Sequence, residues 1–274
     1  MADNAGLLTF GGHLDVLRKM LFRILIVVGT FAVIIFCLKD WTWQMLLAPS
    51  EWDFCTYKGI ENLAHYVGLS DFRFEPYSVD LIATDLSSQF MTHITTALYL
   101  GVLFASPYIL YELFKFTSPA LYENERKYST WGLIIVYFLF VVGILMSYYI
   151  LFPISFRFLG TYSVADKVHS TITLDSYVST FTTLTLMMGV VFQLPVIAFA
   201  LTKLGFINSQ MLSKYRKQAF LIIMIVAAII TPPDLMTLIM VTIPLYLLYE
   251  VSIRVAKWQD IILPDFQTDT IMAV

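Results

Sequence analysis

Charge is scarce in this chain. Only 14% of its 274 residues are Asp, Glu, Lys or Arg, against about 25% in an ordinary soluble domain. So few charges cannot build a water-facing surface over 58% hydrophobic residues, which excludes a soluble globular fold. Cysteine is nearly absent as well. Cys37 and Cys55 are too few for a disulfide framework and are expected to be unpaired. There is no HExxH pair for zinc, no GxSxG nucleophile turn, no phosphate-binding loop and no dinucleotide fingerprint. These absences argue against an enzyme and against any metal or other cofactor. No internal repeat is evident, which counts against an inverted-repeat transporter.

Long apolar runs are abundant, and the mean hydropathy is +0.75. Crossing the hydrocarbon core takes roughly 20 apolar residues at about 1.5 Å rise each. Six windows approach that length: 24–38, 94–113, 131–152, 177–201, 219–230 and 235–249. No window interior carries the pair of aspartates an intramembrane aspartyl protease needs. The last two would reach only about 18 and 22 Å as straight helices, which predicts a thinned bilayer or a hairpin shielded by the other helices. The expected fold class is all-α, a polytopic bundle of six transmembrane helices with a short fifth and sixth. Pro107, Pro195 and Pro244 fall in the second, fourth and sixth windows and predict kinks around a concave face.

Twelve of the 17 lysines and arginines fall in the N-terminal segment, the second and fourth connections and the C-terminal segment. Positive charge is retained on the cytoplasmic side, so both termini are expected there. Residues 1–12 hold no basic region and no cleavage site precedes the first window, so the first helix reads as an uncleaved anchor. Residues 1–258 read as one transmembrane domain, with 39–90 a cap loop on the outer face rich in Trp, Tyr and Phe, and 259–274 a cytoplasmic tail. Trp41, Trp43 and Trp52 suit interfacial anchoring, and Glu61 with its neighbours suits a short helix.

Recognition chemistry concentrates in 106–127, where an apolar helix containing Pro107 runs into a connection carrying Glu123, Glu125, Arg126 and Lys127. At the N-terminus, Leu14, Leu17 and Leu21 share a helical face, and Asp15 can pair with Arg18 and Lys19 at i+3 and i+4. Glu112 and Glu250 fall near helix ends, where interfacial water can keep them charged. Gln193 stands at membrane depth with Thr182, Thr183 and Thr185, and can serve either as interhelical glue or as part of a site. Asp234, after Thr231-Pro232-Pro233, is placed to cap the sixth helix. Acids gathered at the surfaces fit a docking face better than an ion path through the bilayer. A small solute or ion carrier is the alternative.

Taken in order over residues 10–258, these motifs resemble those of the TatC family, the multispanning subunit of the twin-arginine protein translocase. The matching segments are His13-Leu14 with Leu17-Arg18-Lys19, Ile82-Ala83-Thr84-Asp85, Ser106-Pro107-Tyr108-Ile109-Leu110-Tyr111 and Pro119-Ala120-Leu121-Tyr122 with Glu125-Arg126-Lys127. Phe192-Gln193-Leu194-Pro195, Thr231-Pro232-Pro233-Asp234 and Ile243-Pro244 with Leu248-Tyr249-Glu250 complete the series. The resemblance implies a receptor for the Arg-Arg signal peptide of folded proteins. It implies export driven by the proton motive force across a prokaryotic cytoplasmic membrane, with TatA- and TatB-like single-span partners and as a homo-oligomer within a complex. No cofactor and no nucleic acid are implied. The signal-peptide contacts it implies are Glu125, with Glu123, Tyr122, Asp15, Leu14 and Arg18. Gln193 and Thr182 would line the groove, and Thr231, Pro233 and Asp234 would form an outer turn or partner-docking point.

The sequence departs from the family pattern in three places. Val16 occupies the position of the N-terminal motif's glutamate, Met20 replaces a usual arginine, and Gln193 stands where many members carry glutamate. Asp15 is one residue from Val16, about 100° away around a helix. The loop holding Glu125 is therefore expected to carry most of the arginine recognition.

Overall fold

A computed structural model describes residues 10–69, 73–77, 79–121, 126–163, 165 and 171–262. In chain order the helices are α1 (Phe10–Cys37), α2 (Lys39–Leu47), α3 (Cys55–Tyr66), α4 (Ser88–Leu121), α5 (Arg126–Met146) and α6 (Phe152–Thr161). They continue with α7 (Leu174–Val191), α8 (Leu194–Lys203), α9 (Ser209–Lys214), α10 (Arg216–Ile230) and α11 (Leu235–Ile262). Two short strands, β1 (Leu81–Ile82) and β2 (Ile172–Thr173), pair in parallel.

Five helical segments among the described residues are long and apolar enough to cross a membrane: 14–37, 88–116, 132–161, 174–203 and 235–259. The fifth expected span is α10, only 15 residues long, or about 22 Å. The sixth corrects the expectation of a short helix: α11 runs for 28 residues, with Pro244 inside it. Its apolar run ends near Glu250, but Ser252, Ile253 and Ala256 are buried beyond that point, so packing carries the helix on. The expected domain boundary at 258 accordingly falls inside α11.

Proline acts in two ways. Pro107 lies within α4, which stays helical from Ser88 to Leu121, whereas Pro195 sits in the first turn of α8. That first-turn position needs no backbone donor, so the fourth expected window divides at Phe192 and Gln193 into two helices rather than one kinked one. A π-turn over Ser147–Leu151 similarly joins α5 to α6, with Pro153 in the first turn of the latter.

α1 packs along α4 through Met20, Ala32 and Ile35, which are buried at near-helical spacing. Ile35 meets Ala97 and Leu100, Ala32 lies against Gly101, and Arg23 meets Glu112. The two helices are therefore antiparallel, and the start of α1 and the end of α4 share one end of the bundle. The main core lies where α7 meets α5, α6 and α11. Phe152, Phe156, Tyr177 and Phe181 stack edge to face there, with Leu184, Met188 and Leu245 fully buried.

At the other end, α2, α3 and the segment leading to β1 form a cap. Tyr148 and Tyr177 donate hydrogen bonds to the carbonyls of Met45 and Leu46, and Tyr57 donates to Pro153 O at 2.7 Å. The Arg157 guanidinium of α6 lies 4.5 Å from the Phe74 ring centre, 4.6 Å from Tyr77 and 5.2 Å from Tyr57. It donates to Glu75 O. Cation–π attraction thus ties the cap to the bundle. Cys37 and Cys55 are both free, as expected.

Candidate functional site

The expected peptide-binding face divides into a part the structure describes and a part outside it. Tyr122, Glu123 and Glu125 lie outside the described residues. On α1, Leu14, Asp15, Val16 and Arg18 are all exposed on the first turns of the helix. The expected pairing of Asp15 with Arg18 or Lys19 does not form. Asp15 makes no ion pair among the described residues, while the Arg18 guanidinium lies over the Phe22 ring at 5.7 Å. An aromatic face one turn on competes well with an exposed carboxylate, whose pairing is worth only about 0–1 kcal/mol. Met20, which stands in place of an arginine, is buried instead on the α1 stripe.

Nine residues into α4 from its Leu121 end, Glu112 is only 6% exposed. This corrects its expected place in interfacial water. Tyr108, one turn earlier, donates its phenol hydrogen to Glu112 Oε1 at 2.9 Å. Arg23 of α1 brings Nη1 to 3.5 Å from the same oxygen. The Tyr108–Glu112 spacing of four is legible in the sequence as one helical face. The partnership with Arg23 depends on the register of α1 against α4, which no local pattern encodes. Lys115 lies over the Tyr111 ring at 5.9 Å on the same turns of α4.

Gln193 bridges helices at the break between α7 and α8. Its Nε2 donates to Val136 O of α5 at 3.1 Å, and its buried Oε1 has no partner among the described residues. Thr182 donates to Val178 O on its own helix and presents no free donor. The structure therefore does not bring Gln193 and Thr182 together through a hydrogen bond. At the turn before α11, Thr231 is buried and donates to Ala227 O, and Pro233 is exposed. Asp234 Oδ1 accepts from Thr237 N at 2.6 Å, which is the expected helix cap. No cluster of His, Cys, Asp and Glu suited to a metal occurs among the described residues.

Several long apolar helices with polar groups recessed between them, and a capped opposite end, define a multi-pass membrane protein of all-helical construction. Residues 12–244 match the family model described as Sec-independent protein translocase protein (TatC). The chain is 33% identical over 259 residues to the TatC protein of Blattabacterium sp. subsp. Periplaneta americana, covering 93% of this chain and 97% of that one. It is 39% identical over 183 residues to TatCy of Bacillus subtilis, covering 67% and 72% respectively. A solved crystal structure of a twin-arginine translocase receptor, TatC, matches with a TM-score of 0.71 at 28% identity, covering 90% of this chain and 98% of that one. The chain belongs to the TatC family. It is the receptor subunit of a twin-arginine translocase, a transport component and not an enzyme, and the solute-carrier alternative falls away.

Proposed function

We propose that this chain captures the Arg-Arg signal peptide of folded proteins at the end of the bundle where α1 begins and α4 ends. With TatA- and TatB-like single-span subunits it then organises export driven by the proton motive force. The observation that carries the reading is the antiparallel packing of α1 on α4. It brings the first turns of α1 and the Leu121 end of α4 to the same end of the bundle, within a chain that matches TatC proteins over nearly its whole length. Glu125 is the principal carboxylate in this proposal, because a guanidinium pairs bidentately with a carboxylate. Asp15 and Glu123 are its auxiliaries, with Leu14, Arg18 and Tyr122 framing the entry. Gln193 and Thr182 would line the deeper groove, and Thr231, Pro233 and Asp234 would meet partner subunits. The proposed topology has six spans, with α10 as the short fifth, and both termini in the cytoplasm of a prokaryote. The distribution of Lys and Arg supports it.

Photo-crosslinking of a twin-arginine peptide to probes placed around position 125 tests the receptor site. The Arg-Arg peptide is expected to label the protein well above a Lys-Lys peptide, and equal labelling would sink the reading. In the same assay Glu125→Ala is expected to cost more capture than Glu123→Ala, with equal losses undoing the assignment of Glu125.

A further inference from the structure

Glu112 is buried, yet its charge is incompletely served. One oxygen accepts a neutral phenol hydrogen from Tyr108 at 2.9 Å and faces Arg23 Nη1 at 3.5 Å, an ion pair without a close hydrogen bond. Its second oxygen takes no hydrogen bond among the described residues. A carboxylate can accept two parallel N–H groups from one guanidinium, and that arrangement is unfilled here. The Arg23 side chain is 56% exposed while that of Glu112 is 8% exposed, so Arg23 can swing outward without unpacking the helices. A buried carboxylate left without a cation is costly. Whatever displaces Arg23 must therefore be cationic and must enter from the open side that Arg23 occupies. A peptide arginine meets both conditions and can fork onto both oxygens. A lysine, a compact point charge with no fork, gains less.

We propose that Glu112 is a guanidinium subsite for the signal peptide, occupied at rest by Arg23 as an internal stand-in that an arriving arginine displaces. This rests on the receptor reading above, and it supplies a second carboxylate where Val16 provides none. Tyr108 is a positioning residue, since its phenol holds Oε1 and leaves the other oxygen to the guanidinium.

The test uses the full chain in lipid nanodiscs, titrated with a fluorescent synthetic peptide that carries adjacent arginines ahead of an apolar stretch, and with its Lys-Lys counterpart. Failure of the unaltered protein to prefer the Arg-Arg peptide would remove the receptor reading, and the subsite with it. Given that preference, Glu112→Gln is expected to weaken Arg-Arg binding about tenfold, the loss of one charge-assisted contact, and to leave Lys-Lys binding nearly unchanged. Arg23→Gln is expected to tighten Arg-Arg binding because the stand-in no longer competes. Arg23→Lys keeps a cation beside Glu112 and guards against simple unfolding; it is expected to bind at least as tightly as the unaltered protein. Unchanged binding in Glu112→Gln overturns the subsite while leaving the receptor reading intact. So does a loss in both Arg23 variants equal to that in Glu112→Gln, which would make the pair a structural clamp.

Discussion

Asp234 uses one carboxylate oxygen to cap α11 through Thr237 N, and its other oxygen is buried with no partner among the described residues. The capping bond is what the fold requires, because the first amides of α11 have no partner within the helix. Asp234→Ala is expected to lower stability by about 1 kcal/mol, and Asp234→Asn, which keeps a capping oxygen, by less than about 0.5 kcal/mol. Thermal unfolding in detergent separates the two, and equal losses would mean that the charge matters and not the cap. At this scale the sequence was informative where chemistry is local. The cap after two prolines and the Tyr108–Glu112 spacing can both be read from neighbouring residues. The burial of Glu112 and the Gln193 bridge to Val136 could not be, since each depends on a residue brought close by helix packing.

Helix termini in this molecule follow packing more than hydropathy. The apolar window ending near position 249 understated α11, because Ile253 and Ala256 go on burying themselves after the charged residues begin. The window over 177–201 overstated a single helix, because Pro195 favours a fresh first turn at the Phe192–Gln193 break. The helix pairs themselves are set by small residues. A Cβ on Gly143 would lie 2.6 Å from Met188 O of α7, a backbone atom that cannot move aside, so α5 and α7 touch only because that side chain is absent. Gly143→Ala is expected to destabilise the protein by about 1–3 kcal/mol, as overpacking does. Gly29→Ala, on a face of α1 with nothing within 4 Å, is expected to be neutral or to stabilise slightly through helix propensity. Unfolding midpoints of the two variants in the same detergent provide the comparison, and similar shifts would refute the close-approach argument.

Across the whole molecule, the end opposite the proposed peptide site is held shut by aromatic groups, not by a disulfide. Composition made the membrane class, the helical fold and an aromatic outer loop legible. It could not show that Arg157 would serve as the pin, since its three aromatic partners lie about eighty to a hundred residues earlier. Tyr57 sits at the centre of that cap. Burial pushes its phenol well above the ordinary value of 10.0, so it stays neutral and keeps donating to Pro153 O. In the unfolded chain the same phenol ionises near 10. The stabilisation that Tyr57 contributes is therefore fully present below about pH 10 and is lost as the pH rises from there toward the folded value. Amide exchange across α3 and α6 is expected to stay flat from neutral pH to about 9, after correction for the intrinsic rate, and to accelerate above about 10. Tyr57→Phe removes both the ionising group and the bond to Pro153, so it should exchange faster at neutral pH and lose most of the alkaline rise. If its alkaline rise matched that of the unaltered protein, the opening would belong to another group and the cap would not be pinned at Tyr57.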